Sequence, residues 1–379
     1  MASPDDVPCK RLRTSPFLSF RAGDIVDRLT GAHWVKEASL VELLHCAVDG
    51  RTREEFVAEG LDEATIACLL EERLLVEADE VWYLTNITHL ELEVSAHCNW
   101  RCEFCPVSID PKPKASMAMS LFAEILDKAI AHRSIQYVTF NSYNEPLLDV
   151  FFEDRVRLLA ATRLKLQLHT NGSVLTEATI RLLADSKVLS FIMFNLPAVT
   201  RDAFKQVTGS PSLTRTLENL DAALSAGLPV ALSIQGTDQE LRARLPEFSK
   251  RYRAALESPW TRIGNTSDRA GVLTNRFGRH LRIVGRLRGC ELPLNWLHIG
   301  VNGNCFVCCE DYYQRHEFGN IRDGTIEGIL RSDAALKLRK AIFGDEDAPA
   351  DFICRSCLVM QKSSQDYNDN CCDVARGSR

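Results

Sequence analysis

Three cysteines, Cys98, Cys102 and Cys105, stand close together in the run His-Cys-Asn-Trp-Arg-Cys-Glu-Phe-Cys, a CxxxCxxC spacing with Phe104 just before the last. Three thiolates can hold three irons of a 4Fe-4S cluster and leave the fourth iron open. An open iron can bind and reduce a ligand, whereas a fully ligated cluster mostly transfers electrons or supports structure. Zinc is the competing occupant, but zinc wants four ligands and no fourth cysteine or histidine follows nearby. His97 directly precedes Cys98, an awkward place for chelation.

The chain has 14 cysteines in 379 residues. Cys9, Cys46 and Cys68 are scattered, and the stretch 106–289 has none. Cys290, Cys305, Cys308, Cys309, Cys354, Cys357, Cys371 and Cys372 crowd the tail. No apolar run approaches the ~20 residues that span a bilayer. The segment Met1–Arg13, with Asp5 and Asp6, lacks the apolar stretch of a secretory signal. A cytoplasmic location is therefore expected, where clustered cysteines are metal or cluster ligands rather than disulfides. Lys+Arg 45 against Asp+Glu 51 gives a net charge of -6, with neither a nucleic-acid footprint nor a polybasic membrane patch. The local cluster Arg276, Arg279, Arg282, Arg286 and Arg288 fits a solvated face or an anionic substrate equally well.

These cysteines need elements to position them. Composition is that of a large globular chain, 45% hydrophobic and 25% charged. Residues 1–16 show no periodicity and read as a disordered leader. Residues 17–86 read as a small winged-helix-like module: helices around Leu40–Ala47, from Thr52 and over Asp62–Leu75, then a strand over Glu80–Thr85. From 87 to 284, strands alternate with helices: strand Leu90–Val94, helix 120–132, strand 136–140, helix 149–162, strand 164–169, helix 176–185, strand 188–194, helices 201–207 and 212–226, strand 229–234 and helix 238–256. That order argues for an α/β fold on a parallel sheet, open or closed into a barrel. Catalytic groups in such folds sit at the carboxyl ends of the strands. Cys98, Glu145, Asn171 and Asn195 each lie just past a strand end and should converge on one face.

Residues 88–290 resemble the radical S-adenosylmethionine (SAM) superfamily. The triad spacing, Phe104 and the position after the first strand carry the resemblance. Asn-Glu-Pro at 144–146 stands where the family usually has Gly-Gly-Glu-Pro, with Tyr143 and Asn144 in place of the glycines. Thr170-Asn171-Gly172, Asn195, the run Phe204 to Gly209 and Arg269-Ala270-Gly271 follow in the family's order. The resemblance implies a partial (β/α)6 TIM-like barrel. It implies a 4Fe-4S cluster on Cys98, Cys102 and Cys105, with SAM on the open iron. Tyr143, Asn144, Glu145, Asn171, Asn195 and Phe104 would surround SAM, and Glu145 would meet its amino group.

The tail, 285–379, resembles the SPASM/twitch extension that holds auxiliary 4Fe-4S clusters. Its text is a cysteine (Cys290), a hairpin with Asn302-Gly303, a cysteine pair (Cys308-Cys309), Gly319-Asn320-Ile321, then Cys354-x-x-Cys357. In the family the ligand falls five or six residues after the turn glycine, which selects Cys308 or Cys309. Cys305 occupies a place usually taken by valine. One complete auxiliary cluster on Cys290, Cys308, Cys354 and Cys357 is expected, with four-thiolate zinc as the competing occupant. Cys371 and Cys372 would serve a second cluster only.

The N-terminal module is similar to small domains that recognise leader peptides in ribosomal-peptide maturation, and a stabilising helical cap explains it equally well. The resemblance implies reductive cleavage of SAM to a 5′-deoxyadenosyl radical and hydrogen abstraction from a substrate carbon. The expected substrate is a precursor peptide, which gains a crosslink or thioether or is epimerised. The alternative is oxidation or epimerisation of a small molecule such as an antibiotic-sugar intermediate. A third reading, a non-enzymatic cluster or zinc protein, conflicts with the open-iron motif and Glu145. A reductant such as flavodoxin or ferredoxin is the implied partner. If the substrate radical takes back a hydrogen, Cys305, Cys309, Tyr312 and Tyr313 are the candidate donors.

Overall fold

A computed structural model of the chain describes residues 11–360, apart from 22, 23, 84, 265, 266, 279 and 280. Cys9, Arg279, Cys371 and Cys372 lie outside the described residues.

The first strands appear earlier than the sequence suggests. Strand β1 (Leu12–Thr14) falls inside the expected leader, whose residues 1–10 lie outside the described residues. Strands β2 (Leu18–Arg21), β3 (Asp24–Asp27) and β4 (His33–Val35) form an antiparallel sheet in that order. Helices α1 (Ala38–Cys46), α2 (Arg53–Ala58) and α3 (Glu63–Glu71) follow. Thr52 and Glu55 close a reciprocal capping box on α2, and Asp62 caps α3. Strand β5 (Leu75–Glu77) returns antiparallel to β1. Where a strand is expected over Glu80–Thr85, residues 80–82 form a turn, and Val81 and Trp82 pack into the C-terminal core. Most of the module's sheet therefore precedes its helices, whereas the sequence reading placed a single strand after them.

Six parallel strands form the centre: β6 (His89–Leu92), β7 (Tyr137–Thr139), β8 (Lys165–Thr170), β9 (Leu189–Asn195), β10 (Val230–Gln235) and β11 (Arg262–Gly264). They pair in chain order. The crossovers carry α4 (Met119–Ala131), α5 (Phe152–Ala160), α6 (Glu177–Ser186), α7 (Arg201–Thr208), α8 (Leu213–Ser225) and α9 (Asp238–Leu256). This is the α/β partial barrel. Strand side chains alternate between its two faces. Leu90, Leu92, Val138, Leu166, Leu168, Ile192, Phe194 and Leu232 go into one large core with the helices. Residues of the other parity, such as Thr139, His169, Met193 and Ser233, line a cavity.

The sheet does not close on β11. Helix α10 (Leu292–Asn295) leads into β12 (Trp296–Ile299), which pairs parallel with β6. Strands β13 (Asn304–Phe306) and β14 (Glu317–Asn320) extend it antiparallel to nine strands. Helices α11 (Ile326–Leu330) and α12 (Asp333–Ile342) pack behind. A second core joins this extension to the N-terminal module: Phe17, Val81 and Trp82 meet Leu287, Phe343, Phe352 and the tail cysteines. Among the described residues, no helix is long and apolar enough to cross a membrane.

Candidate active site

The strand ends set the site. Cys98 lies in the loop after β6, Glu145 after β7, Asn171 after β8, and Asn195 ends β9. All four line one cavity of about 460 Å³, with Cys102, Cys105 and Phe104. The cysteine loop is pinned from two sides. Glu145 N–H donates to the His97 carbonyl at 2.8 Å. The Arg101 and Glu103 N–H groups donate to the carbonyls of Thr208 and Val207 at the end of α7, at 3.0 and 2.9 Å. Gly209 ends that helix at φ +68, and a Cβ there would press on Arg101 at 3.4 Å.

The three thiols are close enough to act on one another: Cys102 feels both Cys105 and Cys98. Burial pushes the Cys98 thiol up to about 12, with Cys105 and Glu145 adding repulsion. Buried sulfurs that raise each other's pKa ionise readily only against a cation, which fits an iron cluster.

Glu145 is 1% exposed. The Thr170 hydroxyl donates to one carboxylate oxygen at 2.6 Å and Asn171 N–H to the other at 2.6 Å. Leu147 N–H adds a third bond at 3.2 Å. Burial still raises this carboxyl to about 7. It lacks a cation, and an ammonium group supplies one. Further along the wall, the Oδ1 atoms of Asn141 and Asn195 and Oε1 of Gln235 are buried without partners. These bare acceptors suit the hydroxyls and amines of a nucleoside. The residues present therefore fit SAM.

Tyr143 and Asn144 have other work as well. Tyr143 takes φ +65, the left-handed region glycine favours, so the backbone path survives without glycine. Its hydroxyl donates to the Cys309 carbonyl, and its ring meets Tyr312 edge-on at 4.9 Å. Asn144 holds its own loop, accepting from Ser142 N–H at 2.9 Å and donating to Ser95 Oγ at 3.2 Å.

The tail cysteines gather in a second place. Cys290, Cys308, Cys354 and Cys357 are all buried in one core and line one small pocket with Glu310. Burial raises the Cys308 thiol, and Cys354, Cys357 and Cys290 all add to it. Four converging thiols match the donor set of a closed cluster.

Of the four donor candidates, only Cys309 lines the cavity. Cys305 is fully buried in the barrel core. Tyr312 packs edge-on against both Tyr143 and Tyr313, and Tyr313 is 41% exposed. Among the described residues, arginines of the 276–288 run are ion-paired. Arg276 pairs with Glu103 and Glu240, and Arg286 with Asp49.

Sequence reasoning missed Glu91, which lines the cavity, and its strand neighbour His298, and it noted Arg269, another lining residue, only within a run. Glu91 on β6 is 7% exposed, and burial raises its carboxyl to about 8. His298 on β12 is 1% exposed and held neutral by burial, its pKa lowered to about 3. Arg269 pairs with Glu310 at 3.0 Å between the two thiol groups. The signal for Glu91 was present: in Leu-Glu-Leu-Glu, a strand buried on both faces must turn its glutamates inward.

Residues 92–248 match the family model of the radical SAM superfamily, and residues 290–358 match that of the SPASM iron-sulfur cluster-binding domain. The chain is 23% identical over 285 residues to the S-adenosyl-L-methionine-dependent 2-deoxy-scyllo-inosamine dehydrogenase of Niallia circulans, covering 74% of this chain and 96% of that protein. Its fold is shared with Streptococcus suis SuiB bound to precursor peptide SuiA, at TM-score 0.57 and 13% identity, over 92% of this chain and 94% of that one. Histidine-tagged anSMEcpe with bound AdoMet also shares it, at TM-score 0.53 and 13% identity, over 74% of this chain and 92% of that one.

Proposed function

Because this chain is a radical SAM enzyme with a C-terminal SPASM auxiliary-cluster domain, we propose that it modifies a ribosomally made peptide, forming a crosslink or thioether or inverting a stereocentre. The bound cluster and SAM supply a 5′-deoxyadenosyl radical, which takes hydrogen from a substrate carbon. Cys98, Cys102 and Cys105 hold that cluster. Glu145 orients the SAM amino group, Asn171 fixes Glu145 through its N–H, and Asn195 accepts from the nucleoside. Phe104, Tyr143 and Asn144 shape the wall. Cys290, Cys308, Cys354 and Cys357 hold one auxiliary cluster. Cys309 adjoins Cys308 and lines the cavity, so the auxiliary cluster lies within one residue of the substrate.

The observation that carries the peptide reading is the sheet edge of the N-terminal module. Strand β4 pairs with β3 alone among the described residues. On it Val35 is 74% exposed. An extended peptide can add there as a fourth strand, with main-chain hydrogen bonds giving affinity. The reductant is a flavodoxin or ferredoxin, and the reaction is cytoplasmic.

Two measurements test this. Full-length protein with dithionite and SAM should release 5′-deoxyadenosine. Iron should fall from about eight to about four per chain in the Cys98/Cys102/Cys105→Ala variant. No 5′-deoxyadenosine, or no iron left in the variant, rejects the two-cluster scheme. A fluorescent peptide encoded beside the gene should bind the full chain, and Val35→Pro should weaken it. Absence of binding favours the alternative, a small molecule such as an antibiotic-sugar intermediate.

A further inference from the structure

Glu91, His298 and Cys309 meet inside the barrel, and none belongs to either cluster's ligand set. Glu91 and His298 are directly paired across the parallel strands β6 and β12. Cys309 enters from the loop after β13, its carbonyl held by the Tyr143 hydroxyl. One donor atom from each lies within 4.8 Å of the other two.

The polar atoms here are bare. Glu91 Oε1 and both ring nitrogens of His298 are buried without a hydrogen bond. His298 Nε2 and Glu91 Oε2 approach to 3.8 Å, too far to bond directly. Bare buried polar atoms are destabilising, and several at one spot point to a ligand that joins them. Two donors bound tetrahedrally to one zinc at about 2.0–2.3 Å sit roughly 3.3–3.8 Å apart, so an ion fits between them after small adjustment.

The donor types choose the ion. A thiolate, an imidazole and a carboxylate suit zinc-type cations, whereas calcium and magnesium take oxygen donors. The nearby Arg269 charge is balanced by Glu310 at 3.0 Å. Three protein donors leave one tetrahedral position. Glu91 and Cys309 both line the large cavity, so that position opens toward it.

We propose that Glu91, His298 and Cys309 bind one zinc-type divalent cation, whose fourth position takes an oxygen, nitrogen or sulfur atom of the substrate. The ion anchors substrate beside the Cys98 cluster. A thiolate held on a cation does not return a hydrogen atom. Among the outcomes above, the ion therefore selects the oxidative ones, crosslink or thioether, in which the substrate would lose one hydrogen atom to the 5′-deoxyadenosyl radical, one electron to the auxiliary cluster on Cys290, Cys308, Cys354 and Cys357, and one proton to solvent. The binding site itself is independent of whether the substrate is a peptide.

The test uses the full chain with iron and sulfide reconstituted. It is exposed to zinc sulfate and desalted over a chelating resin. Wild type should keep about one zinc per chain with iron unchanged, and zinc X-ray absorption should give a mixed sulfur and nitrogen/oxygen shell. His298→Asn should lower zinc affinity about tenfold or more without loss of iron, since even an outer-shell partner is worth that much. Glu91→Gln keeps shape and burial and should weaken zinc likewise, which covers a His298 variant that fails to fold. Four outcomes overturn the proposal: wild type with full iron retaining no zinc, a four-sulfur zinc shell, zinc unchanged in Glu91→Gln, or Cys309→Ser losing iron instead of zinc.

Discussion

At the residue scale, the role proposed for Glu145 ties SAM binding to the charge of one carboxyl. Its carboxyl is raised to about 7 by burial, so the neutral form prevails below that pH. An ammonium ligand needs the carboxylate. SAM affinity should therefore fall as pH drops through about 7, and equilibrium dialysis across pH 6–8 measures it. Glu145→Gln should cost about tenfold or more in affinity and remove the pH dependence, since hydrogen bonds to charged groups contribute about 1.5–3 kcal/mol. An unchanged affinity in Glu145→Gln would place the amino group elsewhere. The convergence of Cys98, Cys102, Cys105 and Glu145 on one cavity was legible in the sequence because short loops after strand ends fix their positions. Glu91 left a signal in the alternation of its strand and His298 did not, and alternation alone does not show that the polar face encloses a cavity.

At the element scale, the barrel works by holding strand ends in register. Gly172 after β8 illustrates the tolerance. It sits at φ +71, and a Cβ there would fall 2.6 Å from the Phe194 ring on β9. Its carbonyl also accepts from Asn219 at 2.6 Å, tying the loop to α8. Gly172→Ala should lower unfolding stability by about 1–3 kcal/mol, read from the urea midpoint. No change would mean that Phe194 swings away freely. Five of the six barrel strands stand out in the sequence as apolar runs. The sixth, β11, is three residues, Arg-Ile-Gly, too short and polar for periodicity to reveal. The N-terminal strands escaped for the same reason: they are three or four residues each and gain stability from pairing, not pattern.

At the scale of the molecule, two of the hydrophobic cores bear on the cysteine sites, beside the module's own core. The larger holds the barrel, and the smaller fuses the N-terminal module to the cysteine-rich extension. Phe17 packs edge-on against Phe343 at 5.1 Å and Trp82 at 6.0 Å, beside the four tail thiols. Trp82→Ala should cost about 3–5 kcal/mol where the core cannot collapse. It should also speed loss of auxiliary iron to a chelator, while the iron on Cys98, Cys102 and Cys105 is released at the wild-type rate. Equal acceleration at both sites would show that the cores are not separable. Since metal binding and folding are linked, the shared core makes assembly of the tail cluster and seating of the module one event. If peptide docks on β4 as proposed, a chain made under iron starvation would lack a firmly seated docking edge. On that proposal such a chain would not sequester peptide that it has no means to convert, and capture itself would become a readout of cofactor supply.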